Sequence, residues 1–187
     1  MNEGLQWVTC DGGPHMLLPR ELVPLWHGCD PELDMQPIRA ILPGSSAPMD
    51  FPTHYDLACA IEGLIGLIPV AAGFGLVLGD DIQMSTWLPS ERFAGGNLVV
   101  LVAAPQDFDD CRAVVESLPD EAFRQTGFSV TSRDGGFLLF AAVDAPPDWI
   151  YPTVEVRCPP GDYAVSTAEI TTEELLLVVH RLELNVV

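Results

Sequence analysis

GLIGLIPVAAGFGLVLG, residues Gly63 to Gly79, runs seventeen residues without a charge in a chain whose formal net charge is −19. Such a stretch has to be core, and the rest of the chain is read outward from it. Five glycines and Pro69 interrupt the run, whereas a membrane-spanning helix needs about 20 predominantly apolar residues. The aliphatic segment Leu64 to Val70, the small residues Ala71-Ala72-Gly73 and the segment Phe74 to Leu78 therefore predict a buried hairpin in the middle of a sheet. A phosphate-binding reading of Gly73, Gly75 and Gly79 fails. That fingerprint needs a helix to open on the glycines, and here a short strand pattern leads to Asp80-Asp81 instead.

Composition narrows the function classes. The 187 residues and 48% hydrophobic content suit a single domain, 1–187, with a sizeable core. No basic segment precedes an apolar one at Met1 to Thr9, so the expected location is the cytoplasm, with no membrane partner. Twenty-seven acids face eight arginines and no lysine. Nucleic-acid binding is disfavoured by that balance, because neutralising phosphates takes a basic stripe. An acidic surface serves solubility or draws in a basic partner. Cys10, Cys29, Cys59, Cys111 and Cys158 are odd in number and scattered, which predicts reduced thiols rather than a disulfide framework or a zinc ribbon.

Along the chain, Leu5 to Cys10, Asp11-Gly12-Gly13-Pro14 and His15 to Leu18 read as strand, turn, strand. Glu21 to Trp26 is too broken by Pro24 for more than a short helical or 3₁₀ bend. From about residue 29 to 54 runs a proline-rich acidic loop, with Ile38 to Leu42 its one strand-like segment. Leu98 to Val102 has the uniform apolarity of a central strand. Phe108, Cys111, Val114, Val115 and Leu118 share one helical face, with Asp107 as cap, Asp109 and Asp110 at the positive end and Pro119 as stop. A second helical turn follows over Asp120 to Arg124. Phe128 to Thr131 and Phe137 to Val143 flank Asp134-Gly135-Gly136 as a second expected hairpin, and Thr153 to Arg157 with Tyr163 to Ala168 as a third. In the last segment, Thr171-x-x-Glu174 argues helix while Leu182, Leu184 and Val186 alternate with polar residues; strand is the choice. The sum is α+β, mostly antiparallel β-sheet with one or two short helices.

Catalytic and metal-binding patterns are weak. Cys10, His15, His27 and Cys29 match no common zinc spacing, so no metal and no cofactor are expected. His54-x-Asp56 near Cys59 could supply a base, an orienting acid and a nucleophile, but on a strand Cys59 would face away from the other two. There is no GxSxG elbow, HExxH or P-loop, and no catalytic residue is assigned. A small hydrolase using His54 or His27 would need His15, His27 and His54 to meet in a pocket. A scaffold protein would need a large exposed apolar patch.

Several short motifs also carry a resemblance. Gly12-Gly13-Pro14, Leu17-Leu18-Pro19, Trp26, Tyr55-Asp56 with Ala58-Cys59-Ala60, Gly66 to Val70, Leu76 to Asp80, Thr86-Trp87-Leu88-Pro89, Pro159-Pro160-Gly161-x-Tyr163-x-Val165 and His180-Arg181-Leu182 resemble the bacterial immunity protein 21 family. The resemblance implies a non-catalytic cytoplasmic protein that binds and neutralises a cognate polymorphic toxin. A basic, nucleic-acid-attacking toxin is the class that the −19 charge would suit. Asp80 and Asp81 at the end of the central run, with Trp87 and then Trp26 as aromatic anchors, are the residues expected at the toxin interface.

Overall fold

The computed structural model describes residues 5–30, 32, 36–42, 45–79, 82–104 and 111–185. Two antiparallel sheets face one another. The six-stranded sheet runs β1 (Val8–Thr9), β7 (Met84–Leu88), β8 (Asn97–Ala103), β13 (Leu176–Leu184), β12 (Gly161–Thr171), β9 (Arg124–Ser132). The five-stranded sheet runs β11 (Val154–Val156), β10 (Phe137–Ala141), β2 (His15–Pro19), β6 (Gly73–Leu78), β5 (Ile65–Val70). A small pair, β3 (Ile38–Ala40) with β4 (Met49–Phe51), and two short helices, α1 (His54–Cys59) and α2 (Cys111–Ser117), complete the α+β architecture.

Alternation along each strand divides the apolar side chains among three cores. Leu17, Leu76, Leu139, Leu98, Val100, Val178 and Val165 meet between the sheets. Their neighbours in the five-stranded sheet, Met16, Leu18, Val77 and Phe140, point outward and are covered by Trp26, Phe51 and Leu57 from the 3₁₀ turn, β4 and α1. Neighbours in the six-stranded sheet, Val99, Leu101, Leu177 and Val179, point to the opposite outer face and meet Cys111 and Val115 of α2. Strands buried on both faces read as continuous apolar runs rather than alternating ones, which is the character of Leu98 to Val102.

The charge-free run forms the expected hairpin, β5 and β6 in register from Ile65↔Leu78 to Val70↔Gly73. Its place differs from the expectation. β5 is an edge strand, not a central one. Pro69 accounts for this, since proline has no N–H for a second neighbour and belongs on an edge. The hairpin's exposed tip, Ala71-Ala72, holds Ala71 at φ +50.

Three expected hairpins are instead passages between the sheets. β1 pairs with β7 while β2 pairs with β6 and β10; β9 pairs with β12 while β10 pairs with β2 and β11; β11 and β12 likewise part company. Facing sheets lie about 10 Å apart, and four or five extended residues reach about 13–18 Å. Asp11 to Pro14 and Arg133 to Gly136 are therefore long enough to cross. The second passage is pinned by Ser132, whose Oγ accepts from the Gly136 N–H and donates to the Gly136 carbonyl, both at 2.8 Å.

Within 29–54, β3 and β4 cover Trp26 and its neighbours. His54 to Cys59 is a helix rather than a strand, opened by a capping box in which Thr53 Oγ1 accepts from the Asp56 N–H and Asp56 accepts from the Thr53 N–H. The second helical turn is a 3₁₀ turn, Asp120–Ala122. Asp107 to Asp110, the expected cap of α2, lie outside the described residues. The final segment is strand, β13, with the Thr172 hydroxyl accepting from the Glu174 and Leu175 N–H groups in the turn before it.

Candidate functional site

The residues expected at an interface are placed unequally. Asp80 and Asp81 lie outside the described residues. Trp26 is 1% exposed, its indole N–H shared between the Ala142 and Asp144 carbonyls at 3.2 and 2.9 Å. Trp87 is half-buried against the central core, and its N–H donates to the Gly95 carbonyl at 3.0 Å. Trp87 thus ties down the loop between β7 and β8. A side chain on Gly95 would strike Leu182, and one on Gly96 would strike Trp87. Close backbone approach requires the glycine pair here.

The histidines do not converge. His27 and His54 stack edge-on, ring centroids 5.2 Å apart, with the His27 N–H donating to His54 Nδ1 at 3.3 Å. His15 lies inside the sandwich, bonded through Nδ1 to Ser85 Oγ at 2.7 Å and through Nε2 to Cys10 Sγ at 3.3 Å. Burial holds it neutral, pushing its pKa down to about 4. His180, paired with the Thr167 hydroxyl at 2.8 Å, is pushed down by burial to about 3. Asp56 accepts the Thr53 hydroxyl and N–H, so it serves the helix cap rather than His54. On a helix these two residues lie about 200° apart. Among the described residues no group of three or more His, Cys, Asp or Glu side chains gathers as a metal-binding cluster.

A concavity lies elsewhere, on the outer face of the six-stranded sheet. It is a cleft of about 560 Å³ between the β7–β8 loop and α2, with Arg92, Arg112, Asn97 and Arg181 in its lining. None of the four histidines lines it. Arg181 is its floor. The side chain is 6% exposed and lies between two phenyl rings, Cζ 4.0 Å from the Phe93 centroid and 3.6 Å from that of Phe123. Cation–π contact of this kind favours arginine over any apolar residue of similar size. Arg181 Nη1 donates to Asp120 Oδ1 at 3.0 Å, and Arg92 Nη2 to Asp120 Oδ2 at 2.7 Å. The Arg92 and then the Arg181 guanidinium hold the Asp120 carboxyl below the usual carboxylate range. Arg112 sits 3.9 Å from Glu116 one turn along α2.

Sequence reasoning missed this cleft because its parts are far apart in the chain. Arg92, Asn97, Arg112, Asp120 and Arg181 belong to two strands, a loop, a helix and a 3₁₀ turn. One signal was available. In a chain with eight arginines, one of them, Arg181, sits inside a strand otherwise as apolar as Leu176 to Val179.

A family model described as Immunity protein 21 matches residues 6–175. The chain belongs to the immunity protein 21 family. The match takes in both outer layers and all strands before β13. Membership implies an immunity protein that acts against a toxin, and the resemblance carried by the Gly/Pro turns and apolar strands is thereby confirmed. No curated protein and no solved structure matches the chain. No helix among the described residues is long and apolar enough to cross a membrane.

Proposed function

We propose that this immunity protein is a non-catalytic cytoplasmic binder that neutralises a basic toxin of the nucleic-acid-attacking kind, drawing it in through charge. The observation that carries the reading is the disposition of charge: among the described acidic side chains only Asp144 is buried, so the excess behind the −19 is presented to solvent. A surface of this sign mimics the polyanion that such a toxin binds and raises its encounter rate. The burial of His15 and His180 supports a non-catalytic role, since both rings are 0% exposed and are held by core partners, His15 by the Ser85 hydroxyl and the Cys10 thiol and His180 by the Thr167 hydroxyl. Trp87 contributes by fixing the loop over the cleft, and Asp80-Asp81, which follow the β5–β6 hairpin in the chain, add charge.

The test is a pull-down with the catalytically inactivated toxin domain encoded by the adjacent gene, paired with co-expression of the active toxin. Stable capture and rescue of growth are the expected results. Failure of capture, together with turnover of a small ester or phosphoester by the purified protein, would overturn the reading in favour of a hydrolase.

A further inference from the structure

Three residues in one row across the outer face of the six-stranded sheet are buried with a polar atom left over. Asn97 of β8 lies opposite Arg181 of β13, which lies opposite Ser166 of β12. They are 8%, 5% and 1% exposed, and Asn97 Oδ1, Arg181 Nε and Ser166 Oγ have no hydrogen-bond partner. Most buried polar atoms are satisfied, and leaving one unpaired costs roughly 1–3 kcal/mol. The neighbouring row on the same face, Val99 and Val179, is apolar. Apolar side chains at the Asn97 and Ser166 positions would have left no polar atom unpaired there in the free protein.

Asn97 and Arg181 both line the 560 Å³ cleft. Arg181 Nε can only donate, and Asn97 Oδ1 can only accept. The cleft's charges are already balanced: Asp120 takes Arg92 and Arg181, Glu116 stands by Arg112, and Glu91 is at the rim. The floor therefore holds one buried donor and one buried acceptor, which a side-chain rotation toward the cleft would bring to its surface, and a neutral peptide group, with one acceptor and one donor, can pair with both. The volume exceeds a single amide, and Leu88, Pro89, Val115 and Leu118 on the walls would take flanking apolar side chains.

We infer that this cleft is the anchoring site for a neutral, partly apolar loop of the toxin, which lays a main-chain peptide group on Asn97 and Arg181. The inference rests on the proposed toxin-binding role and divides the labour within it. The acidic surface governs how fast the toxin arrives, and the cleft governs how long it stays.

The test uses Asn97→Leu, which removes the unpaired acceptor, and Ser90→Trp, which plugs the cleft from its rim. Both are measured against the inactivated toxin domain. Asn97→Leu should melt at or above the wild-type temperature, because it replaces a buried amide whose oxygen is unpaired by an apolar group of similar shape. Its toxin complex should dissociate on the order of tenfold faster or more, with the association rate unchanged. Ser90→Trp should do the same, and it decides the matter if Asn97→Leu folds poorly. In ¹⁵N spectra the Arg181 Nε–H, assigned by its loss in Arg181→Lys, should shift and exchange more slowly when toxin is added. Wild-type dissociation rates in both variants, or an Arg181 Nε–H indifferent to toxin, would overturn the inference while leaving the toxin-binding role intact. A concentration-dependent dimer of the free protein that Asn97→Leu dissolves would overturn it too, by making the occupant a second copy. A wild-type protein that does not bind toxin at all would remove the role on which the inference rests.

Discussion

Two imidazoles sealed between the sheets give this protein a distinctive acid response. His15 and His180, both 0% exposed, have pKa values pushed to about 4 and about 3. An unfolded chain would titrate them near 6.5. Their folded values are depressed, so as pH falls below about 6.5 the unfolded chain takes up protons that the folded one refuses. Stability is therefore whole above that point and falls as pH drops toward 4, with a slope approaching about 2.7 kcal/mol per pH unit when both sites count. Asp120 and Glu155, held low by their arginines, release their contribution only further down, as pH falls through the carboxylate range. Urea denaturation at pH 7.5, 6.5, 5.5 and 5.0 should show the midpoint dropping below pH 6.5. A midpoint constant from 7.5 to 5.0 would contradict the burial of neutral histidines. At the same scale, Gly95→Ala would put a Cβ 2.4 Å from Leu182 Cβ and 2.7 Å from the Leu182 carbonyl. Overpacking of that order costs roughly 1–3 kcal/mol, and a thermal melt unchanged from wild type would show that the loop can give way.

At the scale of elements, the hairpin β5–β6 was legible in the sequence because charge-free length and β-branched composition leave few alternatives. Its position in the sheet was legible too, through Pro69, but the apolar length argued for the middle and Pro69 for the edge; the missing N–H decided. Edge placement changes which substitution is severe. Leu67 is half-buried while Ile68 is 0% exposed, packed under the outer layer of Trp26 and Leu57. Ile68→Asp should abolish soluble expression by burying an unpaired carboxylate, with Leu67→Asp milder than a central position would have made it. Equal soluble yields for the two would contradict the assignment. The passages at Asp11 to Pro14 and Arg133 to Gly136 were not legible as such, since Asp-Gly marks a turn without fixing which strands it serves. Pairing is decided by partners far off in the chain, such as β7 for β1 and β12 for β9. The short helix α1 was hidden for a different reason: at six residues it shows no period, and only the Thr53 to Asp56 cap announces it. The arginine cleft was illegible for the same cause as the passages, with Arg181 its one outward sign.

At the scale of the whole molecule, charge and shape separate. Twenty-seven acids against eight arginines make a long-range field, and three of those arginines are gathered at the cleft beside α2, where the field is locally balanced. Steered association reaches about 10⁸–10⁹ M⁻¹s⁻¹ at low ionic strength and slows as the Debye length shrinks from about 30 Å at 0.01 M to about 10 Å at 0.1 M salt. The measurement that tests this most directly is stopped-flow association of the protein with its inactivated toxin domain at those two salt concentrations. A charge-steered immunity protein should associate on the order of tenfold faster or more at the lower salt. An association rate that is the same at both would contradict it.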